Sequence, residues 1–104
     1  MDTKITAAEL ALLQASDKAV TLLDVRRKED FAKEPTTYGG ASWKNPAKVD
    51  EWASSLPESQ QVVIYCVRGG SVSQALQQRL AEKGCAARYV EGGLEALNKN
   101  SQGR

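Results

Sequence analysis

Short apolar runs rich in β-branched residues alternate along the chain with stretches whose apolar positions recur every three or four residues. The two periods mark strands and helices. "AVTLLDV" (residues 19–25) and "QVVIYC" (residues 61–66) read as buried parallel strands, apolar on both faces and stopped by charge or glycine. Shorter strands are predicted at residues 4–5, at residues 41–43 and within "AARYVEGG" (residues 86–93). Thr6 and Glu9 form a capping box that opens a helix over residues 7–15, with Leu10, Leu12 and Leu13 as its apolar face. One helical turn is expected around Phe31. Asn45 and Pro46 make an N-cap and first-turn pair, so a helix should run to about Ser54, with Val49, Trp52 and Ala53 inward and Pro57 ending it. Val72, Ala75, Leu76 and Leu80 predict a helix from Ser71 that stops at Gly84. A short helix near residues 94–97 and a polar tail over residues 98–104, expected to fray, close the chain. Strands alternating with helices predict an α/β fold: a small, mostly parallel central sheet flanked by helices on both faces, joined by right-handed crossovers.

The chain has 104 residues, so one domain over residues 1–104 is expected. A formal net charge of +1 speaks against nucleic acid or an anionic membrane as partner. The apolar run at residues 62–67 is too short to span a bilayer, and the opening "MDTKITAAEL" carries an acid and no apolar leader segment, which predicts a cytoplasmic protein. There is no histidine. That excludes Cys/His and Ser/His dyads, and two cysteines cannot close a metal site alone, so neither a metal nor a cofactor is expected. A disulfide between Cys66 and Cys85 is not expected either.

The chemistry concentrates where the strand at residues 61–66 stops on Cys66 and runs into "VRGGS". In open parallel sheets, ligands bind beyond the carboxyl ends of the strands. Gly69 and Gly70 let the backbone curl so that amides from Val67 to Ser71 surround the sulfur. The helix N-terminus at Ser71 and the charge of Arg68 favour thiolate over thiol, so a nucleophile is available without a histidine base. Cys85, just past a helix C-terminus, reads as a buried, inert thiol.

Four blocks in order resemble the single-domain rhodaneses, the thiosulfate sulfurtransferases: "LLDVRRKEDF", "GGASW", "YCVRGGSVSQALQQRL" and "YVEGGLEAL". The resemblance implies that Cys66 attacks the sulfane sulfur of thiosulfate or a similar small anionic donor, releases sulfite and holds a persulfide. Cyanide or a thiol then takes the sulfur. It further implies that Val67, Arg68, Gly69, Gly70 and Ser71 bind the substrate, with Arg68 orienting the sulfonate oxygens, and that Asp24 and Arg26 are supporting residues paired as ions. Ser71 either bonds the persulfide or caps its helix. The chain departs from the family's pattern where no histidine precedes the "GGA" turn and where Leu97 replaces an aromatic. Trp43 either lines the pocket mouth or packs.

Two rival readings differ in class. A phosphatase of the C-x5-R type needs an arginine at the start of the helix, where Ser71 and Val72 stand instead. A persulfide carrier or interaction module would receive sulfur from a relay protein and turn over free thiosulfate slowly. Cys66 is compatible with that second reading.

Overall fold

A computed structural model describes residues 3–16, 20–56, 61–68 and 70–102. Ala19, Pro57 and Gly69, each singled out in the sequence, lie outside them. The strands are β1 (Lys4–Ile5), β2 (Val20–Asp24), β3 (Ser42–Trp43), β4 (Gln61–Tyr65) and β5 (Arg88–Val90). They form one sheet in the order β1-β5-β4-β2-β3, with every pairing parallel. The α/β class with helices around a parallel sheet is therefore observed as expected. The strands β2 and β4 are in register from Val20 opposite Gln61 to Asp24 opposite Tyr65, so both leave the sheet at the same level. β4 is the central strand and Cys66 follows its last residue.

Helix α1 (Ala7–Ala15) starts on the capping box: the Glu9 amide donates to Thr6 Oγ1 at 3.1 Å and the Thr6 amide to Glu9 Oε1 at 2.9 Å. The turn at Phe31 is a six-residue helix, α2 (Lys28–Lys33). The helix predicted from Pro46 to Ser54 is instead broken into a tight turn at Pro46–Lys48, a short helix α3 (Val49–Trp52) and a second tight turn at Ala53–Ser55. The Asn45 carbonyl explains the break. It accepts from the Lys48 amide at 3.0 Å and from Trp52 Nε1 at 2.9 Å, which draws the chain into a three-residue closure. Helix α4 (Ser71–Glu82) ends at Gly84 (φ +84°), where the Gly84 amide bonds the Ala81 carbonyl and the Cys85 amide that of Leu80. This pattern satisfies two orphan carbonyls at once. Helix α5 (Gly93–Gln102) runs well past the predicted residues 94–97 and takes in five residues of the expected tail.

Both faces of the sheet carry core. On one, Trp52 and Ala53 from the α3 region and Leu76 and Leu80 from α4 pack with Leu23, Val62, Ile64 and Cys66. On the other, Leu10 of α1 and Leu97 of α5 pack with Ile5, Leu22, Val63 and Tyr65. The period-2 split of "VVIY" between the two faces is the reason the run is apolar throughout. Within α4 the buried face is Ser73, Leu76 and Leu80, whereas Ala75, read as inward from the sequence, is exposed. Among the described residues no helix is long and apolar enough to cross a membrane.

The turn into α5 is tightly specified. Gly92 has φ +81°, and a Cβ there would lie 2.7 Å from the Ala96 Cβ. Gly92→Ala should lower the unfolding free energy by about 1–3 kcal/mol, through both the left-handed backbone and the clash. Urea unfolding measures it, and a loss below about 0.5 kcal/mol would mean the turn relaxes freely.

Candidate active site

Cys66 emerges from β4 with 5% of its surface exposed and carries a free thiol, as does Cys85. Its own carbonyl accepts from the Leu94 amide at 2.8 Å, and the Val67 carbonyl accepts from the Glu95 amide at 3.2 Å. Two amides that the first turn of α5 leaves without intrahelical partners thus hold the carbonyl side of the cysteine loop. The amides of Val67, Arg68 and Gly70 make no backbone–backbone hydrogen bond among the described residues. They remain as donors around a cavity of about 180 Å³ lined by Cys66, Val67, Arg68, Gly70 and Ser71 on the loop side. The opposite wall comes from the end of β2 and the start of α2: Arg26, Arg27 and Asp30.

Six of the eight site residues expected from the sequence therefore meet in one cavity. Asp24 stands behind it, and Gly69 is outside the described residues. Ser71 is the first residue of α4, not its N-cap; Gly70 holds that position and makes no side-chain cap. The capping role open to Ser71 is corrected accordingly, because glycine takes the turn conformation at that position and leaves the first helical amides uncapped. Arg68 reaches outward: its side chain is 82% exposed and its Nε lies 3.3 Å from Glu95 Oε2. Trp43 packs and does not line the cavity. Its ring stacks on Phe31 at 4.6 Å and its Nε1 donates to the Arg26 carbonyl at 3.0 Å.

Behind the cavity lies a buried ion pair. Asp24 and Arg26 are 0% and 2% exposed, and Arg26 Nη2 donates to Asp24 Oδ2 at 2.6 Å. Arg26 Nε bonds both carboxylate oxygens, and the Arg26 amide adds a fourth contact to Oδ1. The remaining reach of Nη2 goes to the Thr36 carbonyl at 3.0 Å, and the guanidinium sits over the Phe31 ring. The carboxylate holds the Arg26 proton more firmly than usual. Next to the pair, burial pushes the Tyr65 phenol up to about 12, and its oxygen accepts from the Tyr38 amide at 2.8 Å. A neutral phenol at this place pins the segment before the Gly39–Gly40 turn. Burial also pushes the Cys85 thiol up, which fits an inert role.

Sequence reasoning missed three residues. Arg27 and Asp30 line the cavity together with Cys66, and the signal was available: parallel strands in matched register end together, so the residues after Asp24 must flank those after Tyr65. The third is Ser73, fully buried in the first turn of α4 with no hydrogen-bond partner for its hydroxyl among the described residues. Its spacing to Leu76 and Leu80 places it on the inward face.

The parallel sheet and the free cysteine beyond its central strand define the class, a small α/β domain built to present a cysteine loop. The chain belongs to the rhodanese-like domain family, which residues 6–100 match. This membership is consistent with sulfur transfer. A rhodanese-like domain protein from Staphylococcus aureus superposes with a TM-score of 0.80 at 27% identity, covering 93% of this chain and 91% of that one. A rhodanese homologue from the extremely thermophilic bacterium Thermus thermophilus gives 0.69 at 29% identity, covering 92% and 100%. Among curated proteins, a tRNA 2-selenouridine synthase of Shewanella sp. (strain ANA-3) is 38% identical over 52 residues, which is 50% of this chain and 14% of that protein.

Removing one member of the buried pair leaves the other charge uncompensated. Asp24→Asn should therefore cost about 3–5 kcal/mol of stability by urea unfolding. A loss under about 1 kcal/mol would show that water reaches Arg26 and that the pair does not anchor this edge.

Proposed function

We propose that this domain is a sulfurtransferase that moves a sulfane sulfur from thiosulfate, or a similar small anionic donor, to cyanide or a thiol through a persulfide on Cys66. The observation that carries the reading is the free Cys66 facing a cavity of about 180 Å³ beside loop amides with no backbone partner. In the first half-reaction the Cys66 thiolate attacks the outer sulfur of thiosulfate. The new S–S bond forms as the old one breaks, and sulfite leaves with the electron pair. In the second, the acceptor attacks the same sulfur and Cys66 departs as thiolate. The charge on the sulfur stays negative throughout, so one set of amide donors serves both steps. The family membership supports the chemistry. A cytoplasmic setting, where thiols stay reduced, suits a cysteine that must be free at the start of each cycle.

Thiosulfate leads the candidate donors because of the size of the cavity and its cationic rim, Arg68 and Arg27. The persulfide-carrier reading shares the first half-reaction and differs in the partner that delivers or removes sulfur.

Intact-mass spectrometry tests the covalent step. Wild type treated with thiosulfate should gain about 32 Da, one sulfur atom, and lose it to cyanide with release of thiocyanate, whereas Cys66→Ser should gain nothing. An adduct on both proteins, or on neither, rules the cycle out. Arg68→Ala should raise KM for thiosulfate several-fold more than it lowers kcat, since an exposed cation of this kind contributes roughly 0.2–1 kcal/mol to binding an anion. Unchanged thiosulfate kinetics would remove Arg68 from the site.

A further inference from the structure

Asp24 and Arg26 are buried and bond each other; Ser73 is buried as deeply, and its hydroxyl has no hydrogen-bond partner among the described residues. An orphaned hydroxyl of this kind weakens a fold, and native structures keep few of them. Alanine is close to serine in size, so packing does not explain the oxygen.

The surroundings of Ser73 narrow its use. Ser73, Leu76 and Leu80 form the buried stripe of α4, and the two leucines pack on the sheet face that carries Val62, Ile64 and Cys66. At about 1.5 Å per residue the helix stripe covers roughly 10 Å, and at about 3.3 Å per residue the strand stripe covers roughly 13 Å, so the two lie alongside each other over most of their length. β4 and β5 are parallel, so α4 runs back from the Cys66 end of the sheet, and Ser73, in its first turn, is the member of the stripe at the level of Cys66. The other buried residues of this layer are hydrocarbon except Trp52, whose Nε1 already donates to the Asn45 carbonyl. Among the buried side chains of the layer, the atom with lone pairs to offer is therefore the sulfur of Cys66. Cys66 lines the cavity and Ser73 does not, so the hydroxyl lies on the core side of the sulfur.

We propose that Ser73 donates its hydroxyl to Cys66 Sγ, from the core side, whenever that atom carries the negative charge. This rests on the persulfide reading above and adds a residue to its second half-reaction. A neutral thiol is a weak acceptor, whereas a thiolate makes the stronger, charge-assisted bond. In the persulfide the charge sits on the outer sulfur, on the cavity side. When the acceptor attacks that sulfur, a bond forms between the two, the S–S bond breaks, and its electron pair returns to Sγ, which leaves as thiolate. No oxidant or reductant is needed. A donor behind Sγ stabilises this leaving group, and a better stabilised thiolate leaves faster. In the first half-reaction the same contact makes the thiolate more abundant but less nucleophilic, and the two effects largely cancel.

Ser73→Ala removes only the oxygen. Loaded with thiosulfate and followed by intact mass, the variant should still gain the sulfur but release it to cyanide about tenfold more slowly than wild type, while loading changes less than about threefold. Its urea midpoint should stay at or above that of wild type, because an unpartnered hydroxyl has gone. Ser73→Thr keeps a hydroxyl and should keep the wild-type release rate; if its methyl unfolds the core, Ser73→Ala against wild type still decides. The ultraviolet absorbance of the thiolate, titrated without a sulfur donor on a Cys85→Ser background, should develop about one pH unit higher in Ser73→Ala. The charged groups around the sulfur are Arg26, Arg27, Asp30 and Arg68, with Asp24 and Glu95 paired to two of them; all lie outside α4 and are the same in every variant. Release within about twofold of wild type, a urea midpoint below wild type, or a folded Ser73→Thr as slow as the alanine variant would each overturn the proposal. If wild type takes no sulfur, the persulfide reading fails by itself, and the titration alone decides whether Ser73 serves the thiolate.

Discussion

The site end of the sheet hangs on the buried contact between the Asp24 carboxylate and the Arg26 guanidinium. Taking both ions out of water costs several kcal/mol each, and their attraction offsets that only because nearly every polar atom of the pair is hydrogen-bonded. Asp24 accepts from Arg26 Nε, Arg26 Nη2 and the Arg26 amide, and Arg26 extends to the Thr36 carbonyl. Net stability is a poor explanation for such a pair. What it supplies is position: the Arg26 carbonyl takes Trp43 Nε1, Trp43 stacks on Phe31, and Phe31 lies under the guanidinium. One ion pair therefore fixes β2, α2 and β3 relative to one another, and with them the wall that Arg27 and Asp30 present to Cys66.

The opposite wall obeys a backbone constraint. A loop whose amides are to face a ligand must send its carbonyls elsewhere, because buried carbonyls need donors. Helix α5 meets that need with the Leu94 and Glu95 amides, which a helix start leaves unpaired in any case. The Glu95 side chain then reaches Arg68 from the same turn. The glycine pair that opens α5, with φ of +81° at Gly92 and +59° at Gly93, is what lets the helix start close enough to do this. A motif at the end of the sequence is in this way part of the site in its middle.

Much of this was legible in advance, and the limits have physical causes. The capping box, the two strong strands and the glycine stop of α4 were readable because each depends on residues within a few positions of one another. The cysteine loop was readable for the same reason. The break in the helix after Asn45 was not, since it depends on Trp52 Nε1 reaching back to a carbonyl seven residues earlier. The length of α5 was missed because "NKNSQ" is polar on every side, and only its attachment at the Leu97 end makes a helix there worthwhile. Arg27 needed the sheet order as well as the sequence, because its proximity to Cys66 follows from β2 and β4 being neighbours.

On the proposed persulfide reading, a site without histidine must stabilise anionic sulfur by hydrogen-bond donors and fixed dipoles and not by an imidazolium. The start of α4 is arranged for that. A serine at the N-cap would spend its hydroxyl on the amides of the first turn, which satisfies the helix and closes the donors to anything else. Here Gly70 occupies the N-cap and Ser71 follows one position later with no side-chain cap. The helix gives up on the order of a few tenths of a kcal/mol by using glycine in place of serine. In return its first amides carry no side-chain cap, and the positive end of a twelve-residue dipole starts at Gly70 and Ser71, which line the cavity. The one-residue offset between Gly70 and Ser71 thus leaves the start of α4 without a side-chain cap beside Cys66, the arrangement that the proposed persulfide would use.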